Sequence, residues 1–311
     1  MENIMRILAG RLKTVLSRAG LDSSKLLEIR LRAGQPLILN RTDGEIFLTE
    51  TGRLTKNRRE AYAVSRNDLR ETMEYISNFS LYAFEEEVRQ GYITIAGGHR
   101  VGVCGRTVLE KNQVRNMKYI SFLNIRLAHE VKGCADRLLP MLRTPDGGVC
   151  HTLLVAPPGA GKTTMLRDIV RQLSDGGMTV GVVDERAEIA ACCQGMPQND
   201  VGMRTDVLDC CPKAEGLLFL LRSMAPAVIA VDEIGGEEDL HALRYASSCG
   251  CKLLATVHGA DIEEIRKKPV LSGMMAQQMF ERYVVLEKKD GKCGVRGVFD
   301  GGGQQLAGQF R

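Results

Sequence analysis

The chain has 311 residues, 44% hydrophobic and 26% charged, with a formal net charge of +4. That balance belongs to a globular protein, not a disordered or low-complexity one, and the length exceeds what one core usually fills, so two domains are expected. No apolar run approaches the roughly 20 residues of a membrane-spanning helix, and Met1-Glu-Asn-Ile-Met-Arg6 lacks a secretory signal's apolar stretch, so a cytoplasmic location is expected.

The charge is unevenly divided. Residues 1–140 hold 23 Lys+Arg and 16 Asp+Glu (+7), leaving 19 and 22 (−3) for the rest. A net +4 is too small to imply nucleic-acid binding by itself. A basic front half suits either an anionic partner or arginines directed at a phosphate held by the back half. The ten cysteines have no C-x-x-C spacing, so reduced, mostly buried thiols are expected over zinc or redox chemistry.

Ile4, Leu8, Leu12, Val15 and Leu16 recur at helical spacing, predicting one amphipathic helix over residues 4–19. Its basic remainder could lie on a membrane, but covering its own domain is the simpler expectation. Residues 28–32 alternate like a strand, 37–40 resume it, and Thr42-Asp-Gly-Glu45 turns the chain into a strand at 46–48. Ser65 and Asp68 have the spacing of a capping box for a helix through Ile76. Residues 92–96, 100–104 and 124–127 read as further strands, making the front region α+β.

Thr144-Pro-Asp-Gly-Gly148 marks the expected break, and domains are expected at 1–140 and 141–311. Beyond it, apolar strands (152–156, 179–184, 227–231, 252–257, 283–287, 295–299) alternate with helices (162–173, 213–224), the pattern of a mainly parallel sheet covered on both faces. The tail from Gly301 is expected to fray.

The first of these strands runs into Ala156-Pro157-Pro158-Gly159-Ala160-Gly161-Lys162-Thr163-Thr164. Glycines let backbone N–H groups turn around phosphate oxygens, and the helix N-terminus that follows adds partial positive charge. Lys162 would bridge the β- and γ-phosphates of ATP, and the Thr163 hydroxyl would ligate Mg²⁺. Ala156 replaces the motif's first glycine, which backbone of negative φ tolerates. The strand Ala227–Val231 delivers Asp232 and Glu233 at its carboxyl end. Asp232 is expected to hold Mg²⁺ through water and Glu233 to orient and deprotonate the attacking water; a plain kinase needs no such glutamate, so its presence favours hydrolysis. His258, ending the next strand, could sense the γ-phosphate. Asp184 and Glu185 could reach the metal or the water, or form a structural ion pair.

Taken together, these stations resemble the type II and type IV secretion ATPase superfamily, which includes pilus-retraction motors. Asp184-Glu185-Arg186 corresponds to its acidic box and Ala255-Thr-Val-His-Gly259 to its histidine box. Glu28-Ile-Arg-Leu-Arg-Ala-Gly-Gln-Pro36 with Thr42-Asp-Gly44 is similar to the opening of those motors' first domain. Within the superfamily, Asp184–Ala190, Asn199–Asp209 and Gly98–Arg106 resemble a sporulation branch. The resemblance implies a RecA-like P-loop NTPase core preceded by a smaller α+β domain, assembled as a homohexamer. It implies ATP and Mg²⁺ as cofactors, and membrane proteins of a sporulation channel, approached from the mother-cell cytoplasm, as partners. It also implies that the first domain contributes arginines to ATP, for which Arg100, Arg106 and Arg126 are the candidates by position. A nucleic-acid-dependent ATPase, as in plastid relatives with an added single-strand-binding domain, is the alternative. No basic stripe interleaved with aromatics supports it, so nucleic acid is not an expected partner.

Overall fold

The computed structural model describes residues 1–78, 87, 91–110, 113–289 and 292–310. It divides into two compact units, Met1–His129 and Glu130–Arg311. The division precedes the expected boundary at 140 because Ala135, Leu138 and Leu142 pack into the second unit's core. The Pro-Gly segment after them is a tight turn inside that unit, closed by the Thr144 N–H on the Gly148 carbonyl at 3.1 Å.

In the first unit an antiparallel sheet is built from β1 (Leu26–Arg32), β2 (Ile38–Arg41), β3 (Gly44–Leu48), β4 (Leu54–Thr55), β5 (Tyr92–Ile95), β6 (His99–Glu110) and β7 (Gln113–Arg126). Its strand order is β4-β3-β2-β1-β7-β6-β5. The expected single amphipathic helix is two, α1 (Glu2–Ile7) and α2 (Gly10–Arg18). The break at Leu8–Ala9 frees the Ala9 N–H, which Thr72 Oγ1 accepts at 3.1 Å. Thr72 belongs to α3 (Arg66–Ile76), which opens with the expected capping box of Ser65 and Asp68. Ile4, Leu8, Leu12, Val15 and Leu16 are all buried in this unit's own core. The apolar stripe therefore covers its own domain.

In the second unit the strands are β8 (Thr152–Ala156), β9 (Val180–Asp184), β10 (Thr205–Asp209), β11 (Val228–Val231), β12 (Lys252–His258), β13 (Arg282–Lys289), β14 (Lys292–Asp300) and β15 (Gln305–Ala307). They form one sheet in the order β10-β9-β11-β12-β8-β13-β14-β15. Pairings from β10 to β13 are parallel and the last two antiparallel. Leu153 and Val155 enter one core while Leu154 and Ala156 enter the other. Both faces are thus buried, as a parallel sheet requires. The tail expected to fray from Gly301 is paired as far as Phe310: β15 adds to β14, and Phe310 bridges Val295. No helix among the described residues is long and apolar enough to cross a membrane.

The strand order positions the site. β12 lies between β8 and β11, so the phosphate-type loop after β8 and the acids after β11 flank the end of β12 at one rim of the sheet. Open parallel sheets bind ligands at the carboxyl ends of their strands.

Candidate functional site

A short helix α4 (Leu139–Leu142) precedes β8, and the loop after β8 enters helix α5 (Lys162–Asp175). Gly159 and Gly161 have φ of 72° and 95°, a region side chains disfavour. A Cβ on Gly161 would also lie 2.7 Å from the Cβ of Cys293 on β14. The Met165 N–H donates to the Gly161 carbonyl at 2.9 Å to begin the helix. The N–H groups ahead of it have no intrahelical partner and suit anionic oxygens.

Lys162 is 9% exposed, and its Nζ lies 3.6 Å from Asp232 Oδ1. Thr163 Oγ1 donates to Asp232 Oδ2 at 2.5 Å. The two loop residues expected to hold nucleotide and metal thus converge on the carboxylate expected to share the metal, from a residue 69 positions away in sequence. Thr256 in β12, fully buried, donates its hydroxyl to Asp232 Oδ1 and accepts the Glu233 N–H at 2.8 Å.

Glu233 follows at φ 56°, so it does not continue the strand's alternation. Its Oε2 lies 2.6 Å from Arg186 Nη1 and its Oε1 2.9 Å from His258 Nε2. The Nδ1 of His258 is buried without a hydrogen-bond partner among the described residues, and its carbonyl accepts from Lys268 Nζ at 2.7 Å. A cavity of about 560 Å³ beside Glu233 is lined by Arg186, Lys213, His258 and Lys268 over an apolar floor of Ile234, Val257 and Leu271.

Asp184 and Glu185 take other partners. Asp184 is 2% exposed, and its two oxygens accept the backbone N–H groups of Glu188, Ile189 and Ala190 at 2.7–3.1 Å. Burial raises its pKa from the ordinary carboxylate range, opposed by these N–H bonds. Asp184 thereby holds the loop after β9, and reaching metal or water would break that ring of donors. Glu185 forms an ion pair with Lys213, the structural alternative. Arg167 closes the loop from the other side, donating to the carbonyls of Ile189 at 2.5 Å and Glu188 at 2.6 Å.

In the first unit Arg100 and Arg126 are register partners across β6 and β7. Arg100 is partly buried, its guanidinium 4.8 Å above the Tyr92 ring, while Arg106 and Arg126 are exposed. The β6–β7 pairing shifts between Cys104 and Arg106, so the unbroken ladder that parity would need to align Arg100 with Arg106 is interrupted.

Sequence reasoning assigned no role to Arg186 or Thr256. Both lie inside the acidic and histidine boxes, and the signal that could have found Thr256 is a lone hydroxyl in the otherwise apolar run Leu253–Val257.

The site fits a magnesium nucleotide. Among the described residues no group of three or more His, Cys, Asp or Glu could hold a metal, and Thr163 with Asp232 is the sparse protein set that Mg²⁺ accepts when phosphates supply further oxygens.

The chain matches the family model described as "Sporulation stage III, protein AA" over residues 1–306. Stage III sporulation protein AA of Bacillus subtilis (strain 168) is 38% identical over 313 residues, covering 99% of this chain and 97% of that protein. Among solved structures, the pilus retraction motor PilT with bound ADP aligns with a TM-score of 0.57 at 14% identity, over 95% of this chain and 81% of that one. The Legionella pneumophila ATPase DotB aligns at 0.55 and 15% identity, over 88% and 77%. At these identities the likeness is one of fold, the RecA-like core of secretion ATPases.

Proposed function

The chain belongs to the sporulation stage III protein AA family, and on that premise we propose that it is a Mg²⁺-dependent ATPase. In this proposal it works as a ring-forming motor, a homohexamer, at the mother-cell face of a membrane-spanning sporulation channel. One observation carries the catalytic part: Lys162 and Thr163 meet Asp232 across the end of β12, with Glu233 beside it. Solved neighbours of the same fold are named as a motor and an ATPase, which supports the motor part.

Lys162 leaves Asp232 to neutralise the β- and γ-phosphates, and the N–H groups of residues 159–164 hold their oxygens. Thr163 and Asp232 would hold Mg²⁺, which when bound offsets the charge on the transferred phosphoryl group. Glu233 accepts a proton from water as the water oxygen bonds to the γ-phosphorus and the bond to the ADP oxygen breaks. His258, already on the carboxylate, orients it. Arg100, Arg106 and Arg126 are proposed to act on the γ-phosphate in the assembled ring. Contributions of that kind are worth about 10³–10⁵ in turnover, so dilute single chains should be slow.

The test is ATP hydrolysis by the purified chain across protein concentration, with and without Mg²⁺, beside Lys162→Ala. Turnover per chain is expected to rise as light scattering shows the ring assembling, and to vanish in the variant. A rate untouched by Lys162→Ala would sink the ATPase, and a mass that never exceeds one chain would sink the ring.

A further inference from the structure

We infer that Thr256 is a positioning residue that sets both acids of the hydrolytic site, and that its hydroxyl is what Asp232 keeps when its other partners turn to substrate. The inference rests on the ATPase proposed above and adds a residue that acts only through others.

Thr256 is fully buried in β12, the strand between the one that ends in the phosphate-type loop and the one that ends in Asp232. A buried hydroxyl needs one good partner to offset its desolvation. This one has two, both in the site: it donates to Asp232 Oδ1 and accepts the Glu233 N–H at 2.8 Å. Its carbonyl accepts the Ile234 N–H at 2.8 Å as well. Three successive residues after β11 are therefore tied to a single residue of the neighbouring strand.

Those ties have a geometric consequence. Glu233 sits at φ 56°, a backbone conformation that a residue with a side chain disfavours and that its surroundings must hold. The bonds from the N–H groups of Glu233 and Ile234 to Thr256 bracket that residue. The turn separates two adjacent carboxylates, leaving Asp232 with Lys162 and Thr163 and Glu233 with Arg186 and His258. Lys162 must leave Asp232 to reach phosphate, while Thr163 would turn a lone pair of its hydroxyl to the metal and share its bond to Asp232. Asp232 is the one acceptor of the Thr256 hydroxyl among the described residues. That hydroxyl engages Oδ1, so Oδ2, now on Thr163, is the oxygen that would be free to face the metal or its water.

A merely space-filling threonine would be replaced without loss by valine, which has the same shape and no hydroxyl. The full-length Thr256→Val and Thr256→Ser chains are compared with wild type by steady-state hydrolysis and by equilibrium binding of a fluorescent non-hydrolysable ATP analogue titrated with Mg²⁺. Valine is expected to lower kcat about 10²-fold, the scale of an ångström-sized misplacement, with KM changed less than about threefold. It is expected to raise the Mg²⁺ concentration for half-maximal binding about 10–100-fold, as lost partners of a metal ligand do. Serine is expected to restore both. A valine chain that matches wild type in both measurements, or a serine chain that restores neither, overturns the inference. If wild type binds the analogue yet shows no Lys162-dependent turnover, the ATPase proposal fails, and the Mg²⁺ titration alone decides Thr256. A wild type that does not bind the analogue overturns both. Should the valine chain not fold, Thr256→Cys, similar in size but a weak donor, takes its place with the same expectations.

Discussion

Arg186 Nη1 lies 2.6 Å from Glu233 Oε2, on the carboxylate proposed to take the proton of the attacking water. With His258 on the other oxygen at 2.9 Å, both oxygens are engaged, and a base must free one to accept a proton. Arg186 is 60% exposed as a side chain, and exposed ion pairs are worth about 0.2–1 kcal/mol. Arg186→Gln should therefore raise the basal rate of dilute chains by about 1.5- to 5-fold, while Glu233→Gln should lower it about 10²–10⁴-fold with nucleotide binding retained. Initial-rate assays on both variants check this. A fall with Arg186→Gln would mean that the guanidinium assists turnover.

Asp184 should matter to stability, not to chemistry. Asparagine keeps one acceptor oxygen but turns an amide donor toward backbone N–H groups that now surround the other. Asp184→Asn should cost about 2–3 kcal/mol by denaturant unfolding, while kcat/KM measured well below Tm stays within about threefold of wild type. Lost turnover at unchanged stability would restore the catalytic role the sequence suggests.

How much could be read in advance follows from how local each determinant is. The strand, the glycines and Lys162-Thr163 are neighbours in sequence, so the strand–loop–helix they form was legible, as was the capping box of Ser65 and Asp68. The fate of Asp184 depends on N–H groups of a loop with left-handed residues at Ala187 and Ala191, which no spacing rule predicts. The partner of Glu185 lies 28 residues away. The break between α1 and α2 needs Thr72, 63 residues on from Ala9. The edge strand β10 was overlooked because Asp206 and Asp209 interrupt its apolar pattern and none of its residues is fully buried.

Gly161 carries two separate constraints, so its replacement should fail in two separable ways. Alanine there meets the φ of 95° and a Cβ 2.7 Å from that of Cys293. Strain and overpacking together should cost about 2–5 kcal/mol and weaken Mg²⁺-nucleotide binding. Adding Cys293→Gly should return the packing share in denaturant unfolding but leave the strain. A Gly161→Ala chain as stable as wild type would contradict the loop geometry.

His99 sets an acid limit on the first unit. Its Nδ1 accepts the Ala128 N–H at 3.0 Å, which requires that nitrogen to be unprotonated. Burial above all, then the N-terminal amine and His129, lower its pKa to about 4. Above the ordinary histidine value of 6.5 the folded and unfolded chains are both neutral here, so this residue adds no pH dependence. Between 6.5 and about 4 the unfolded chain binds a proton that the folded one refuses, so stability falls with pH, by up to about 3 kcal/mol at the acid end. A glutamine in its place would not titrate, and the amide oxygen could still accept the Ala128 N–H. Unfolding of wild type and His99→Gln, followed by hydrogen exchange in residues 91–129 from pH 7.5 to 4.5, should give curves that converge or cross as the pH drops. Curves that stay parallel would mean that His99 protonates in place without breaking its bond.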